Sequence, residues 1–153
     1  MDEPDLRVER LAQLPLTELQ PLVEESLGEG FFMLQKLVEQ YKDGSNRFDR
    51  PGEVLSGVYA GATLIAVGGL NRDPYQPDGV TGRIRRVYVR RDWRRGGVGR
   101  RLVERLIAAA QPAFYRLTLR THTQEAARFY EALGFQKQPA VKGATHHMNL
   151  RNA

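Results

Sequence analysis

Six consecutive residues, Arg94-Arg-Gly-Gly-Val-Gly99, bring together the residue types that a diphosphate needs. Such a ligand wants several donors converging from one direction. The first turn of a helix supplies unpaired N–H groups there, together with the positive end of the helix dipole. Side chains would stand in the way. Gly96, Gly97 and Gly99 therefore suit a backbone that bends sharply and presses against phosphate oxygens, with Val98 between them and Arg94, Arg95 and Arg100 neutralising charge from the rim. Spacing disfavours two other phosphate motifs. There is no Gly-x4-Gly-Lys-Ser/Thr, and Gly97-Val-Gly99 is followed by Arg-Arg-Leu rather than by the third glycine of Gly-x-Gly-x-x-Gly. Taken alone, the hexamer also fits an ordinary glycine-rich turn between a strand and a helix.

The elements around the hexamer are those such a cradle requires. Ile84 to Arg90 reads as a strand, and Val98, Leu102, Val103, Leu106, Ile107 and Ala110 form the apolar stripe of a helix stopped by Pro112. Upstream, Asp5 to Arg10 reads as a short strand. A helix capped by Thr17 follows to about Ser26, then a second from Phe31 to Lys42. Glu53 to Tyr59 and Thr63 to Leu70 form a hairpin around Ala60-Gly61-Ala62, and Asn71 to Gly79 is a loop. Downstream, Tyr115 to Thr121 alternates as a strand, Tyr115, Leu117 and Leu119 against Arg116, Thr118 and Arg120. Thr123 caps a last helix striped by Ala126, Phe129, Tyr130 and Leu133 and ended by Gly134, and Phe135 to Gln138 and Ala144 to Leu150 close as strands. This order predicts an α/β fold in one domain over residues 1–153: a mixed, mostly antiparallel sheet of six or seven strands flanked by about four helices.

With 41% apolar and 27% charged residues, the composition is that of a soluble globular protein. No cysteine is present, so no disulfide, thiolate metal site or cysteine nucleophile is available. The acidic N-terminus is not a secretory signal, and no apolar run could span a bilayer, so a cytoplasmic protein without membrane association is expected. Between Arg83 and Arg105 there are ten Arg against only Asp92 and Glu104. That local excess points to an anionic partner, although Arg is abundant throughout the chain. His146 and His147 alternate across one strand and cannot chelate together, and no zinc-like spacing exists, so no metal is expected.

Arg94-x-x-Gly97-x-Gly99 matches Arg/Gln-x-x-Gly-x-Gly/Ala, and in this the chain resembles the GNAT superfamily of N-acetyltransferases. Ile84-Arg-Arg-Val-Tyr-Val89 is similar to that family's preceding strand, and Ala126-Ala-Arg-Phe-Tyr-Glu-Ala-Leu-Gly-Phe135 to its downstream Ala-x-x-x-Tyr-Glu-x-Leu-Gly-Phe element. The match is dense from Arg83 to Phe135, and the first half matches only in element order. The resemblance implies acetyl-CoA as acyl donor, bound by the hexamer and by Val87, Tyr88 and Val89 along the strand. It implies direct attack by an amine in a ternary complex, with Tyr130 as general acid toward the leaving thiolate.

The base is less defined. Many members carry Glu one residue before the position of Ile84, where this chain has Arg83. His122, a loop carboxylate such as Asp73 or Glu29, and a water chain are the candidates that remain. The acceptor, a small molecule or peptide amine, would meet Glu25, Glu29, Phe31, Phe32 or Tyr41. Acidic lining suits a cationic amine, whereas Arg83 and Arg85 suit one bearing a carboxylate or phosphate; both stay open. Two other readings are a non-catalytic acyl-CoA-binding regulatory module and, disfavoured by the scarcity of stacking aromatics, an Arg-rich RNA-binding domain. Nucleic acid is thus not the expected partner, and a homodimer is admitted.

Overall fold

The computed structural model describes residues 5–141 and 143–150. Seven strands form a single sheet in the order β1-β2-β3-β4-β5-β7-β6. The strands are β1 (Leu6–Arg10), β2 (Val54–Ala60), β3 (Thr63–Arg72), β4 (Thr81–Val89), β5 (Arg116–Leu119), β6 (Gln136–Val141) and β7 (Ala144–Asn149), and the helices are α1 (Leu16–Gly28), α2 (Met33–Asp43), α3 (Val98–Ala110) and α4 (Gln124–Ala132). All neighbours are antiparallel except β4 and β5, whose parallel connection runs through α3. A crossover helix between parallel strands must lie on one face of the sheet. The mixed, mostly antiparallel architecture with four helices is the one the element order predicts.

Two cores sandwich the sheet. Leu19, Leu22, Leu34 and Leu37 of α1 and α2 pack with Leu55, Val67 and Tyr88 on one face. On the other, Val98, Leu102 and Leu106 of α3 cover Val58, Ile65, Ala66 and Ile84, and α4 adds Phe129 and Tyr130. Small residues let large ones approach: a Cβ on Gly69 would lie 2.2 Å from the Phe48 ring, and one on Gly82 would lie 2.8 Å from that of Phe114.

Several boundaries differ from expectation, each for a local reason. Pro15, not Thr17, is the N-cap of α1, whose first turn has no side-chain cap, and the helix continues through Pro21 to Gly28. β3 runs on through Asn71 and Arg72, because the buried Glu53 carboxylate accepts from the Asn71 amide at 3.0 Å and from the Arg72 N–H at 2.9 Å. Tyr115 precedes β5 and is 51% exposed, so its ring does not join Leu117 and Leu119 inside. Thr123 does cap α4, its hydroxyl accepting from the Ala126 N–H at 3.0 Å.

Candidate active site

β4 and β5 are paired only from Thr81↔Arg116 to Arg83↔Thr118. Beyond that pair the strands diverge, and residues 84–89 of β4 show an edge that β5 does not cover. A bulge in the β3–β4 ladder lies opposite the same stretch, with Arg86 in the left-handed region at φ 62°. One extra residue bends a strand and redirects its side chains. The resulting V between β4 and β5 opens into a cleft of about 530 Å³, lined by Val87 and Val89 from β4, Phe31 and Met33 at the start of α2, and Thr123, Ala126, Phe129 and Tyr130 around α4.

The glycine hexamer closes one end of this cleft. A 3-10 turn at Arg91–Trp93 leads into it, Arg95 and Gly97 take positive φ values of 67° and 84°, and Gly97 is the N-cap of α3. Gly97 O accepts from the Arg101 N–H at 3.0 Å, so the helix closes its first hydrogen bond there. The N–H groups just before it have no acceptor in hydrogen-bond geometry among the described residues. No atom lies within 4 Å of where a Cβ on Gly97 would be. Open space, unpaired donors and a helix N-terminus together fit a phosphate.

The three glycines do different things. Gly97 supplies the turn that a Cβ disfavours. Gly99 instead lets α3 lie close to its neighbours, since its Cβ would fall 3.3 Å from Phe129 and 3.4 Å from Val89. Gly96 lies on the exposed turn, and Val98 sends its side chain into the core at 2% exposure, leaving only its backbone to the cleft.

The rim arginines likewise separate. Arg94 does not face the cradle as a free cation. Its Nη1 and Nη2 donate to Glu29 Oε2 and Oε1 at 2.9 and 2.7 Å, its Nε donates to Val89 O at 3.0 Å, and its guanidinium stacks 5.3 Å over Tyr88. Arg100 pairs with Glu104 at 3.0 Å one turn along α3. Arg95 has no carboxylate partner among the described residues and is the charge left for a ligand. Glu25 and Glu29 are correspondingly spent on structure: both accept from the Tyr88 hydroxyl, and Glu25 also accepts from the Arg91 N–H at 3.1 Å. The guanidinium of Arg94, helped by Tyr88 and Arg91, holds the Glu29 carboxyl down at about 2 against the cost of its burial. Burial and these carboxylates push the Tyr88 phenol up. Glu29, one of the expected base candidates, is thus a clamp between α1 and the cradle and a poor proton acceptor.

Tyr130 lines the cleft from α4, its ring edge-on to Phe129 at 4.9 Å and to Phe135 at 5.7 Å. Burial raises its phenol well above the ordinary range, and its hydroxyl has no hydrogen-bond partner among the described residues. His122 is exposed on the loop before Thr123 and does not line the cleft. Asp73 is buried, its Oδ2 accepting from the Thr118 hydroxyl at 2.7 Å and lying 4.0 Å from Arg83 Nη1. Of the acceptor candidates, Phe31 lines the cleft, Phe32 is 61% exposed, and Tyr41 stacks with Arg47. Thr123, Glu125 and Ala126 also line it and were not expected, because a capping turn looks the same in sequence whether or not it faces a cleft. His146 is buried and bound to Glu131 at 2.8 Å, and among the described residues no group of three or more His, Cys, Asp or Glu could hold a metal ion.

A model of the GNAT acetyltransferase domain matches residues 55–137, from β2 through the cradle to α4 and into β6. The chain belongs to the GNAT acetyltransferase family. Among solved structures this GNAT chain is similar to a protein from Exiguobacterium sp. 255-15, provisionally assigned as an acetyltransferase. Identity is 29%, 95% of this chain and 93% of that one are covered, and the TM-score is 0.83. An acetyltransferase from Streptococcus agalactiae 2603 shares the fold at 18% identity, 95% and 98% coverage and a TM-score of 0.74. So does a tyrosine-to-phenylalanine mutant of the AtaT toxin bound to acetyl-CoA and the C-terminus of the antitoxin AtaR, at 14% identity, 97% and 95% coverage and a TM-score of 0.66. A search of curated proteins finds no match. GNAT membership supports acyltransferase activity in general terms. No helix among the described residues is long and apolar enough to cross a membrane.

Proposed function

We infer that this GNAT protein moves an acetyl group from acetyl-CoA to a primary amine by direct attack within a ternary complex. The observation that carries this reading is the joining of an open, donor-rich helix N-terminus to an uncovered strand edge and an unpartnered phenol in one cleft. When bound, acetyl-CoA supplies the acetyl group as an activated thioester. The backbone N–H groups at the start of α3, with Arg95, would hold the diphosphate, and the β4 edge from Val87 to Val89 would pair with the amide-bearing arm.

Tyr130 would protonate the leaving sulfur. A phenol's ordinary pKa near 10 keeps its proton on at neutral pH, and partial burial raises it further, which makes the phenol a reluctant donor against a thiol of pKa about 8.5 in water. The same burial disfavours a thiolate in the cleft, so the two affinities rise together and the proton can pass as the C–S bond breaks. His122 is exposed and outside the cleft lining, Glu29 is locked by Arg94 and Asp73 is buried against Thr118 and Arg83, which leaves a water chain to take the amine's proton.

Thiol release from acetyl-CoA, measured over polyamines, amino acids, aminoglycosides and peptide N-termini, tests the reading. Release above background with at least one amine is expected. Tight binding of acetyl-CoA with no transfer to any acceptor would replace the enzyme by a non-catalytic binding module, a reading that the Arg83 position favours. Tyr130→Phe should lower kcat roughly 100-fold, the scale of one general acid, with acetyl-CoA affinity within about twofold. Unchanged turnover would remove Tyr130 from the proton path.

A further inference from the structure

Where β4 and β5 part, four guanidiniums gather on the α2 side of the sheet with little to neutralise them. Arg83 is 5% exposed: its Nη2 donates to Gly143 O at 3.1 Å, its guanidinium lies 5.0 Å over the Tyr75 ring, and its Nη1 is 4.0 Å from Asp73 Oδ2 and has no hydrogen-bond acceptor. Arg86, turned by the bulge toward α2, donates from Nη2 to Gln40 Oε1 at 3.2 Å, and its Nε is buried without an acceptor. Among the described residues Arg85 reaches only the Asn71 side-chain oxygen, at 3.4 Å. Arg120 is exposed and has no ion-pair partner among the described residues. Gly143 brings its backbone up to the group: a Cβ there would be in ordinary contact, 3.6 Å from Arg83 Nη2, 3.9 Å from Arg120 Nη1 and 3.9 Å from the Tyr75 ring.

Among the described residues the one carboxylate paired with this group is Asp73, which already accepts from Thr118. The next, Glu53, is filled by the N–H groups of Arg50 and Arg72 and by the Asn71 amide. Burial and the neighbouring charges of Arg85 and Arg83 push Arg86 down to about 10. Crowded cations with buried, unsatisfied donors are costly to hold, and an anion relieves both the repulsion and the missing hydrogen bonds.

We propose that Arg83, Arg85, Arg86 and Arg120, with Tyr75, form a subsite for an anionic group on the acceptor, so that the amine acetylated carries a carboxylate or phosphate close to its nitrogen. The inference rests on the acetyltransferase reading above. Its position follows from the strand: Arg83 belongs to the last β4–β5 pair, Arg86 precedes Val87 of the cleft wall, and the cradle lies at the opposite end of β4, six residues or roughly 20 Å away. An acceptor anchored there presents its amine into the V, while the diphosphate is held at the far end.

The experiment pairs acceptors that differ in the anion: phosphoethanolamine against ethanolamine, and glycine against glycinamide. Each is assayed by thiol release and, with CoA saturating so that the cradle is filled, by NMR titration of the Arg83, Arg85, Arg86 and Arg120 Nε–H signals. The anionic member is expected to be favoured roughly ten- to hundredfold in kcat/KM, the size of one charge-assisted hydrogen bond. Its signals should shift, and Arg85→Gln and Arg120→Gln should each shrink the preference through KM. The phosphate and carboxylate arms show which group fits. Equal use of the neutral partners, or arginine signals that neither anion moves, would overturn the subsite. The titration needs no turnover, so a protein that acetylates nothing yet binds either anion at these arginines would sink the transferase and keep the subsite.

Discussion

The clamp between Glu29 and Arg94 makes a prediction whose size can be worked from the structure. Glu29 stands at 16% side-chain exposure and Arg94 at 36%, joined by two hydrogen bonds. Lowering the carboxyl from 4.5 to about 2 would be worth about 3 kcal/mol at about 1.4 kcal/mol per unit if none were lost to solvent. Screening at a half-open pair removes roughly half, leaving about 1–2 kcal/mol. Glu29→Gln should therefore lower Tm by roughly 3–6 °C in a chain of this size.

The pH dependence gives the sharper test. The folded pKa lies below the ordinary one, so the stabilisation is complete above about pH 5 and drains away as pH falls from 4.5 toward about 2. For a pair worth about 1–2 kcal/mol, roughly a tenth to a fifth of it should remain at pH 3. Urea denaturation of the wild type and Glu29→Gln at pH 7 and pH 3 measures the gap directly, and other carboxylates cancel in the difference. A double-mutant cycle with Arg94→Gln isolates the pair, with a coupling of about 1–2 kcal/mol expected at pH 7. A gap as wide at pH 3 as at pH 7, or a coupling within about 0.3 kcal/mol of zero, refutes the clamp.

Gly97→Val places a β-branched side chain at φ 84° in the space left for phosphate, so CoA affinity by calorimetry should fall by at least about 100-fold; an affinity within about threefold of wild type would move the diphosphate elsewhere. His122→Ala should leave kcat/KM within about twofold, and the pH–rate profile should rise with the acceptor amine's own ionisation. A tenfold loss would instead put the imidazole in the proton path.

What was legible in the sequence was local. Glycine spacing, the stripe of α3, the Thr123 cap and each strand are written within about a dozen neighbouring residues, and their order along the chain led to the right sheet and to the hexamer at one end of the cleft. The contacts that decide what each side chain can do join residues far apart. Glu29 and Arg94 are separated by 65 positions, and Thr118 and Asp73 by 45. The bulge at Arg86 arises from unequal residue counts on β3 and β4, which neither strand reveals by itself. Phe48 over Gly69 belongs to the same class, since a glycine in a strand does not say which ring fills its place.

The run of ten arginines from Arg83 to Arg105 shows why this matters for function. Read as composition it is one basic patch seeking one anion. Folded, it comes apart along β4 and α3. Arg94 and Arg100 are matched by Glu29 and Glu104, and Arg101 donates to Leu6 O at 3.3 Å. Arg95 remains at the cradle, while Arg83, Arg85 and Arg86 gather at the other end of the strand, on the α2 side. The guanidiniums around β4 therefore divide between the two ends of that strand. That is the distribution the proposed acceptor subsite calls for, with two substrates, each carrying an anionic group, meeting between the two ends.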